Sequence, residues 1–341
     1  MRALYDRTMR AIVIGKDASL ELRDVPTPEP GPGQARVRVR ACGLNRADLL
    51  QRRGLYPAPA DAPQDIPGLE IAGEVDAVGS GTTDVRVGDR VYGIVSGGAY
   101  AEHVVVHGRT LAKIPVVDGR PLGFVEAAAI PEAFLTAYDA MVLQGGLQPG
   151  ETVLVNAAGS GVGTAAVQIA RAIGARSVGT ARSKDKLARA ESLGLYAGVV
   201  AETKDDGSPR FAERVREATG GHGVDVVLEL VGGAYVPESL FALADRGRLV
   251  LVGLMAGARA EVDLGIVLRR RLRVFGTVLR SRPLEEKIVA AQVLARNLSP
   301  LVAEKKLVPV VDRVLPLAQA AEAQDLMASN ASFGKIVLEV A

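Results

Sequence analysis

The residues best placed to do chemistry lie where an apolar run breaks into glycines. Residues 153–170 read Val-Leu-Val-Asn-Ala-Ala-Gly-Ser-Gly-Val-Gly-Thr-Ala-Ala-Val-Gln-Ile-Ala, which predicts a strand, a tight turn and a helix. Such a turn aims backbone N–H groups and the positive end of a helix dipole at one spot. That arrangement suits a pyrophosphate, so dinucleotide binding is the first hypothesis. The spacing departs from a strict G-x-G-x-x-G: positions 158, 160 and 163 hold Ala158, Ser160 and Gly163, with further glycines at 159 and 161. Taken alone, the stretch leaves an ordinary glycine-rich strand-to-helix turn as the lesser alternative. On the functional reading Ser160 touches the pyrophosphate, while Gly161, Val162 and Gly163 allow its close approach.

The elements that follow must position the rest of a dinucleotide. Val162, Ala165, Ala166, Ile169 and Ala170 give the small apolar face of a helix packed on a sheet, Gly174 ends it, and the next strand runs from Arg176 to Ala181. In an NAD site an Asp or Glu for the ribose 2′-hydroxyl stands at the end of this strand, roughly 20 residues past the glycines. Here that place holds Ala181, Arg182 and Ser183, with Lys186 close behind. Arg182, Ser183 and Lys186 can make charge-assisted hydrogen bonds to a 2′-phosphate, so NADPH is favoured over NADH. The alternative is a solvated basic helix start.

Composition sets bounds. A chain of 341 residues, 48% hydrophobic, suggests two domains with ample cores. A net charge of +2 does not mark a nucleic-acid binder. There is no apolar run of about 18 residues and no secretory pattern, so a soluble, cytoplasmic protein with no membrane partner is expected. The single cysteine, Cys42, excludes an internal disulfide and any multi-cysteine metal site. Residues 1 to 8 carry no periodic signal and are expected to be a frayed leader, with the first strand starting at Met9.

Two textures divide the chain. Up to about residue 130, short alternating segments such as Ala35–Arg40, Glu70–Val75 and Ala101–Val106 are separated by Pro and Gly clusters, which predicts a mostly β domain. From there strands alternate with helices: Thr152–Asn156, Arg176–Ala181, Gly198–Val200, Val224–Leu230, Arg248–Val252 and Leu272–Leu279. Six such strands predict an α/β fold with a doubly wound parallel sheet. The segment Lys335–Val340 returns to strand texture and is expected to rejoin the first domain.

Several further segments make the pattern specific: Leu44-Asn-Arg-Ala-Asp-Leu-Leu-Gln-Arg52, Ile66-Pro-Gly-Leu-Glu-Ile-Ala-Gly-Glu74, Val87-Gly-Asp-Arg-Val-Tyr-Gly93, Ala127-Ala-Ala-Ile-Pro-Glu-Ala-Phe-Leu-Thr-Ala-Tyr138, Leu251-Val-Gly-Leu-Met255, Phe275-Gly-Thr-Val-Leu-Arg-Ser-Arg282 and Gly334-Lys-Ile-Val-Leu338. With these the chain resembles the medium-chain dehydrogenase/reductases over nearly its whole length. Within them it resembles the zinc-free quinone oxidoreductase (zeta-crystallin-like) branch, and most of all the tumour-suppressor-inducible NADPH quinone oxidoreductase subgroup. The resemblance implies a GroES-like mostly-β catalytic domain over 1–131 and 298–341, and a Rossmann NADPH-binding domain with a six-stranded parallel sheet over 132–297. Zinc-dependent relatives carry a cysteine where this chain has Asn45 and a histidine where it has Leu69. Neither is a plausible Zn²⁺ ligand and the four-cysteine loop is missing, so no metal is expected.

The same resemblance implies site residues. Asn45 and Asp48 fall in the loop facing the nicotinamide, Tyr56 near the substrate, and Thr136 at the nicotinamide phosphate or ribose. Plainer roles compete: Asn45 as the cap of a helix, Asp48 in its first turn, Tyr56 as a loop aromatic, Thr136 bonded to its own backbone. Val231, Gly232 and Gly233, then Gly253, Leu254 and Met255, follow strands where open α/β sheets bind ligands, although both could be simple turns. Leu279, Arg280 and Ser281 follow the last strand, and Lys335 approaches the cofactor from the tail. Two departures stand out: a strand-three tyrosine that helps hold the 2′-phosphate in many relatives is Ala201 here, with Tyr196 earlier, and a histidine before the glycine turn is Asn156, read as a neutral change. His103, His107 and His222 are read as structural.

The expected activity is metal-free hydride transfer from NADPH to a quinone in a cleft between the domains. Tyr56 or water would give the proton, and Asn45 with backbone donors would supply electrostatic support. The alternatives are reduction of an enone, alkenal or enoyl-thioester C=C bond by the same chemistry, or a low-turnover NADPH-binding or structural protein. A homodimer through the sheet-edge strand Val274–Leu279 is implied by resemblance.

Overall fold

The computed structural model describes residues 8–341; the reading of residues 1 to 8 as a leader thus lies almost wholly outside the described residues, and Thr8 already begins a strand. The chain forms two compact units. The first comprises the residues through Leu135, Leu279–Lys305 and Pro309–Ala341; the second comprises Thr136–Val278 with Lys306–Val308. The resemblance placed the return to the first unit at residue 298. Contacts bring it forward to Leu279, because Arg280 is bonded to Gln51 Oε1, the Ser96 carbonyl and the Tyr56 carbonyl and the helix Leu284–Val293 buries Ile288 and Ala291.

The first unit is built on a sheet whose strands run in the order Val311–Pro316, Lys335–Glu339, Gln34–Gly43, Glu70–Val78, Arg90–Ile94, Ala112–Lys113, with His103–His107 also paired to Gln34–Gly43. Alternation explains the central strand: Val37, Val39 and Ala41 are fully buried while Arg38 is exposed. Arg36 breaks the pattern; it is buried, and its guanidinium is neutralised by Asp76 at 2.9 Å and Glu29 at 2.8 Å. Lys335–Glu339 and Glu70–Val78 lie antiparallel on either side of Gln34–Gly43. Antiparallel neighbours start where the central strand ends, so Glu70 and Lys335 are delivered to the end of Gln34–Gly43.

The second unit holds six parallel strands in the order Ala197–Val200, Arg176–Ala181, Thr152–Val155, Val224–Glu229, Leu243–Leu251, Arg273–Gly276. This is the doubly wound order that reverses beside the first strand. The helix Gly161–Ala172 buries Ala165, Ala166, Ile169 and Ala170, the small apolar face expected of it. The last strand is shorter than the predicted Leu272–Leu279, ending at Gly276. The strand before it begins at Leu243, ahead of the predicted Arg248, and takes up a register shift between Val224 and Val226 on its partner. Among the described residues no helix is long and apolar enough to cross a membrane.

Candidate functional site

In the first unit the end of Gln34–Gly43 passes directly into the helix Arg46–Arg52, and Asn45 is its N-cap. Asp48, in the first turn, accepts the Asn45 backbone N–H at 2.8 Å and the Tyr100 hydroxyl at 2.9 Å through the same oxygen, Oδ2. The plainer roles for both residues are therefore filled, yet the Asn45 side chain does more than cap. Its Nδ2 donates to Glu70 Oε1 at 2.9 Å and its Oδ1 accepts from Lys335 Nζ at 2.7 Å. Lys335 also donates to the Leu44 carbonyl and pairs with Glu70 Oε1 at 2.6 Å. Its three donors thus meet three acceptors inside this unit, and only 4% of the residue is exposed. The other Glu70 oxygen accepts the Glu132 backbone N–H at 2.8 Å, a carboxylate at the start of the helix Pro131–Tyr138. Gly43 makes this packing possible, since a Cβ there would meet Glu70 Oε1 at 2.3 Å and the Ala128 carbonyl at 2.7 Å.

This cluster is not fully satisfied. Among the described residues Asp48 Oδ1 and Glu132 Oε2 are the buried carboxylate oxygens with no hydrogen-bond partner. Burial drives the Asp48 carboxyl up to about 6, against the pull of the Asn45 N–H and the Tyr100 hydroxyl. Burial, then the charge of Glu70, push Glu132 up to about 8. Tyr56 is half-buried, with the Arg280 guanidinium 5.3 Å from its ring centre; burial raises its phenol above the usual tyrosine value. Cys42, free and fully buried beside this cluster, has its thiol held protonated by burial. Leu279 is buried in this unit, and Ser281 is exposed.

In the second unit Ser160 caps the helix Gly161–Ala172, its hydroxyl oxygen accepting from the Gly163 N–H at 3.0 Å. The first N–H groups of that helix, at Gly161 and Val162, have no intrahelical acceptor. Gly163 is demanded by close packing: a Cβ there would lie 2.4 Å from the Ala157 carbonyl. The turn could not be built with a side chain at 163, and its unbonded N–H groups are of the kind that accept an anion at a helix start. Arg182 and Ser183 are exposed just past the strand Arg176–Ala181, Ser183 capping the helix Lys184–Glu191 that carries the half-buried Lys186. Ala201 is buried, and Tyr196 is 55% exposed with the Arg176 guanidinium 5.4 Å from its ring centre. Thr136 is buried on the helix Pro131–Tyr138.

A second buried network fixes the carboxyl ends of the central strands. Thr180 Oγ1 donates to Asn156 Oδ1 at 2.7 Å; Asn156 Nδ2 donates to Glu229 Oε2 at 2.7 Å and Ser239 Oγ at 2.8 Å. Glu229 Oε1 accepts the N–H groups of Val231 and Gly232, each at 2.9 Å, and so folds the loop after its strand. Asn156, read from sequence as a neutral change, is the hub of this network and is fully buried. The neighbouring loop brings Gly253 within touching distance of the Leu230 backbone, and leaves Leu254 and Met255 53% and 49% exposed.

Asn45, Asp48 and Lys335, named from the sequence, are brought into one cluster whose common partner, Glu70, and whose further member, Glu132, the sequence did not single out. Both sit inside motifs quoted for family resemblance, and the signal available was a charged residue flanked by apolar ones. The histidines stay outside: His103 Nε2 lies 3.2 Å from Asp76 and His222 is exposed. Among the described residues no group of three or more His, Cys, Asp or Glu is arranged to hold a metal ion.

Comparison with known proteins agrees with this geometry. Residues 31–116 match the alcohol dehydrogenase GroES-like domain family and residues 161–295 the zinc-binding dehydrogenase family. The chain is 37% identical to a quinone oxidoreductase of Pseudomonas aeruginosa over 327 residues, covering 94% of this chain and 95% of that one. It is also 35% identical over 301 residues, 88% of its length, to a phenolphthiocerol/phthiocerol polyketide synthase from Mycobacterium tuberculosis, of which it spans 13%. A mycobacterial protein solved in complex with NADPH superposes with a TM-score of 0.83 at 30% identity, covering 97% of this chain and 99% of the other. The protein is thus a nicotinamide-dependent oxidoreductase, and it belongs to the quinone oxidoreductase family of the medium-chain dehydrogenase/reductases.

Proposed function

We propose that this chain is an NADPH-dependent quinone reductase that works without a metal. The observation that carries the cofactor choice is the exposed Arg182–Ser183 pair at the end of Arg176–Ala181, with no carboxylate there to repel a 2′-phosphate. Lys186 supports the same phosphate, Ser160 with Gly161, Val162 and Gly163 the pyrophosphate. Val231, Gly232, Gly253, Leu254 and Met255 leave room for the cofactor edge, Thr136 contacts the nicotinamide phosphate or ribose, and Leu279 and Ser281 enter the pocket. When bound, the nicotinamide supplies a hydride. Asn45, fixed by Glu70 and Lys335, orients the reacting ring, and Tyr56 faces the acceptor. Metal-free chemistry rests on the donor set: the Asn45 amide is engaged by its neighbours and Leu69 is a buried apolar side chain.

The preference for quinones draws on the named function of the Pseudomonas aeruginosa relative. A second reading, reduction of an enone, alkenal or enoyl-thioester C=C bond, is favoured by the likeness to a polyketide synthase. NADPH oxidation measured with ortho- and para-quinones, 2-alkenals, enones and crotonyl thioesters separates them. Quinones should turn over fastest; turnover confined to C=C acceptors replaces the first reading with the second, and NADPH binding without turnover points to a binding protein. In thermal-shift titrations NADPH should stabilise more than NADH, and Arg182→Ala should cut that preference about tenfold. We further propose a homodimer through the edge strand Arg273–Gly276, where Val274 is 43% exposed.

A further inference from the structure

We infer that Glu132 is the acid that protonates the reduced acceptor. This deepens the reading of the protein as a hydride-transferring reductase and rests on it.

Glu132 is the second residue of the helix Pro131–Tyr138, and its backbone N–H is clamped on Glu70 Oε2 at 2.8 Å. The helix start is thereby fixed, while the Glu132 side chain is left without a bond: Oε2 is buried and unpartnered, and the residue retains partial exposure. A carboxylate there would give up the solvation of Oε2 for only the unbonded attraction of Lys335 and Arg280, which burial and the charge of Glu70 outweigh, whereas a carboxylic acid keeps a proton it can give away. Charged and titratable groups face it from every neighbouring element: Glu70 on its strand, Asp48 on the helix Arg46–Arg52, Lys335 on the tail strand, Arg280, and Tyr56, whose phenol feels its charge. Glu70 is already bonded to Lys335 and Asn45, so its negative charge does not pair with Glu132 but opposes its ionisation. The acid therefore holds its proton to about pH 8, near the value that serves general acid catalysis best. The Tyr56 phenol, the donor suggested by the sequence, is shifted the wrong way, above its usual value.

The step balances. Bound nicotinamide would supply a hydride, its C4–H bond breaking as the hydrogen with both electrons is bonded to the conjugated acceptor, which would then be an oxyanion or enolate. The Glu132 O–H bond breaks and its proton neutralises that anion. Glu132 is left as a carboxylate and is reprotonated from water, so the net reaction consumes one NADPH and one proton per two-electron reduction.

The test uses the intact protein and whichever acceptor turns over. Because the acid form is required, wild-type kcat/KM should fall as pH rises through about 8. Glu132→Gln should lower kcat/KM about 10²-fold and abolish that limb. Glu132→Asp should keep the limb with part of the rate, and NADPH affinity should stay within about twofold in both variants. Difference infrared spectroscopy supplies a readout independent of turnover: a protonated carboxyl band that disappears near pH 8 in the wild type and is missing from Glu132→Gln. Full activity with an unchanged pH limb in Glu132→Gln overturns the proposal. So does a rate loss matched by lost NADPH affinity with the limb intact, or a carboxyl band that titrates below about pH 6. Failure of every acceptor would instead remove the reductase reading, while the infrared titration still reports where the proton resides.

Discussion

The molecule contains two buried polar networks, and they are finished differently. In the second unit Thr180, Asn156, Glu229 and Ser239 are all fully buried, and none appears among the buried atoms left without a partner. In the first unit Glu70, Lys335, Asn45 and Asp48 form an equally dense network that nevertheless leaves Asp48 Oδ1 and Glu132 Oε2 open. A saturated network specifies a shape and holds it; an open one carries a standing energetic cost that is tolerated where protons must move. On the proposed reading, the Asn156 network is scaffold and the open Glu70 cluster is where a proton moves.

The largest effect expected on this contrast comes from Lys335→Met. Glu70 would be left buried and unpaired, and urea unfolding should show a loss of about 3–5 kcal/mol, with much of it recovered in the Glu70→Gln/Lys335→Met double variant. A loss under about 1 kcal/mol would mean that water already reaches Glu70. Asn156→Ala comes next: it strips a donor from Glu229 and an acceptor from Thr180, and should cost about 1–3 kcal/mol. If Asn156 can be removed with no change in the unfolding midpoint, the network is no scaffold. The smallest effect on stability belongs to Asp48→Asn, about 1 kcal/mol at neutral pH, but it should alter the pH dependence. The Asp48 pKa is raised from 3.8 to about 6 in the folded state, so the folded protein holds that proton longer than the unfolded chain. Its contribution is complete below pH 3.8 and lost as pH rises through about 6. Urea midpoints across that window should fall less in Asp48→Asn than in the wild type; identical slopes would show that Asp48 does not titrate there.

Much of the fold was legible because its signals are local. The strand, glycine turn and helix at 153–170 need only an apolar period that changes from a run to helical spacing, and the returning tail strand needed only alternation. What stayed hidden depends on register. That Glu70 and Lys335 meet follows from two antiparallel neighbours starting at one strand's end, which no window of adjacent residues encodes. Asn156 looked neutral because its partners Thr180, Glu229 and Ser239 lie on three other elements. Glu132 reads as one acidic residue in an alanine-rich stretch; its chemistry comes from what fails to bond to it. Arg280 likewise gave no hint that its guanidinium would draw the chain back to the first unit near Leu279.

The Lys335 ammonium reaches back across 290 residues of sequence to the Asn45 side chain. During synthesis, Glu70 leaves the ribosome long before its cation exists, so the first unit cannot neutralise its buried carboxylate until the tail strand has docked. Contacts of such sequence separation form late. Pairing of Lys335–Glu339 with Gln34–Gly43 and neutralisation of the buried Glu70 carboxylate are therefore a single event, and a chain that fails at one fails at the other.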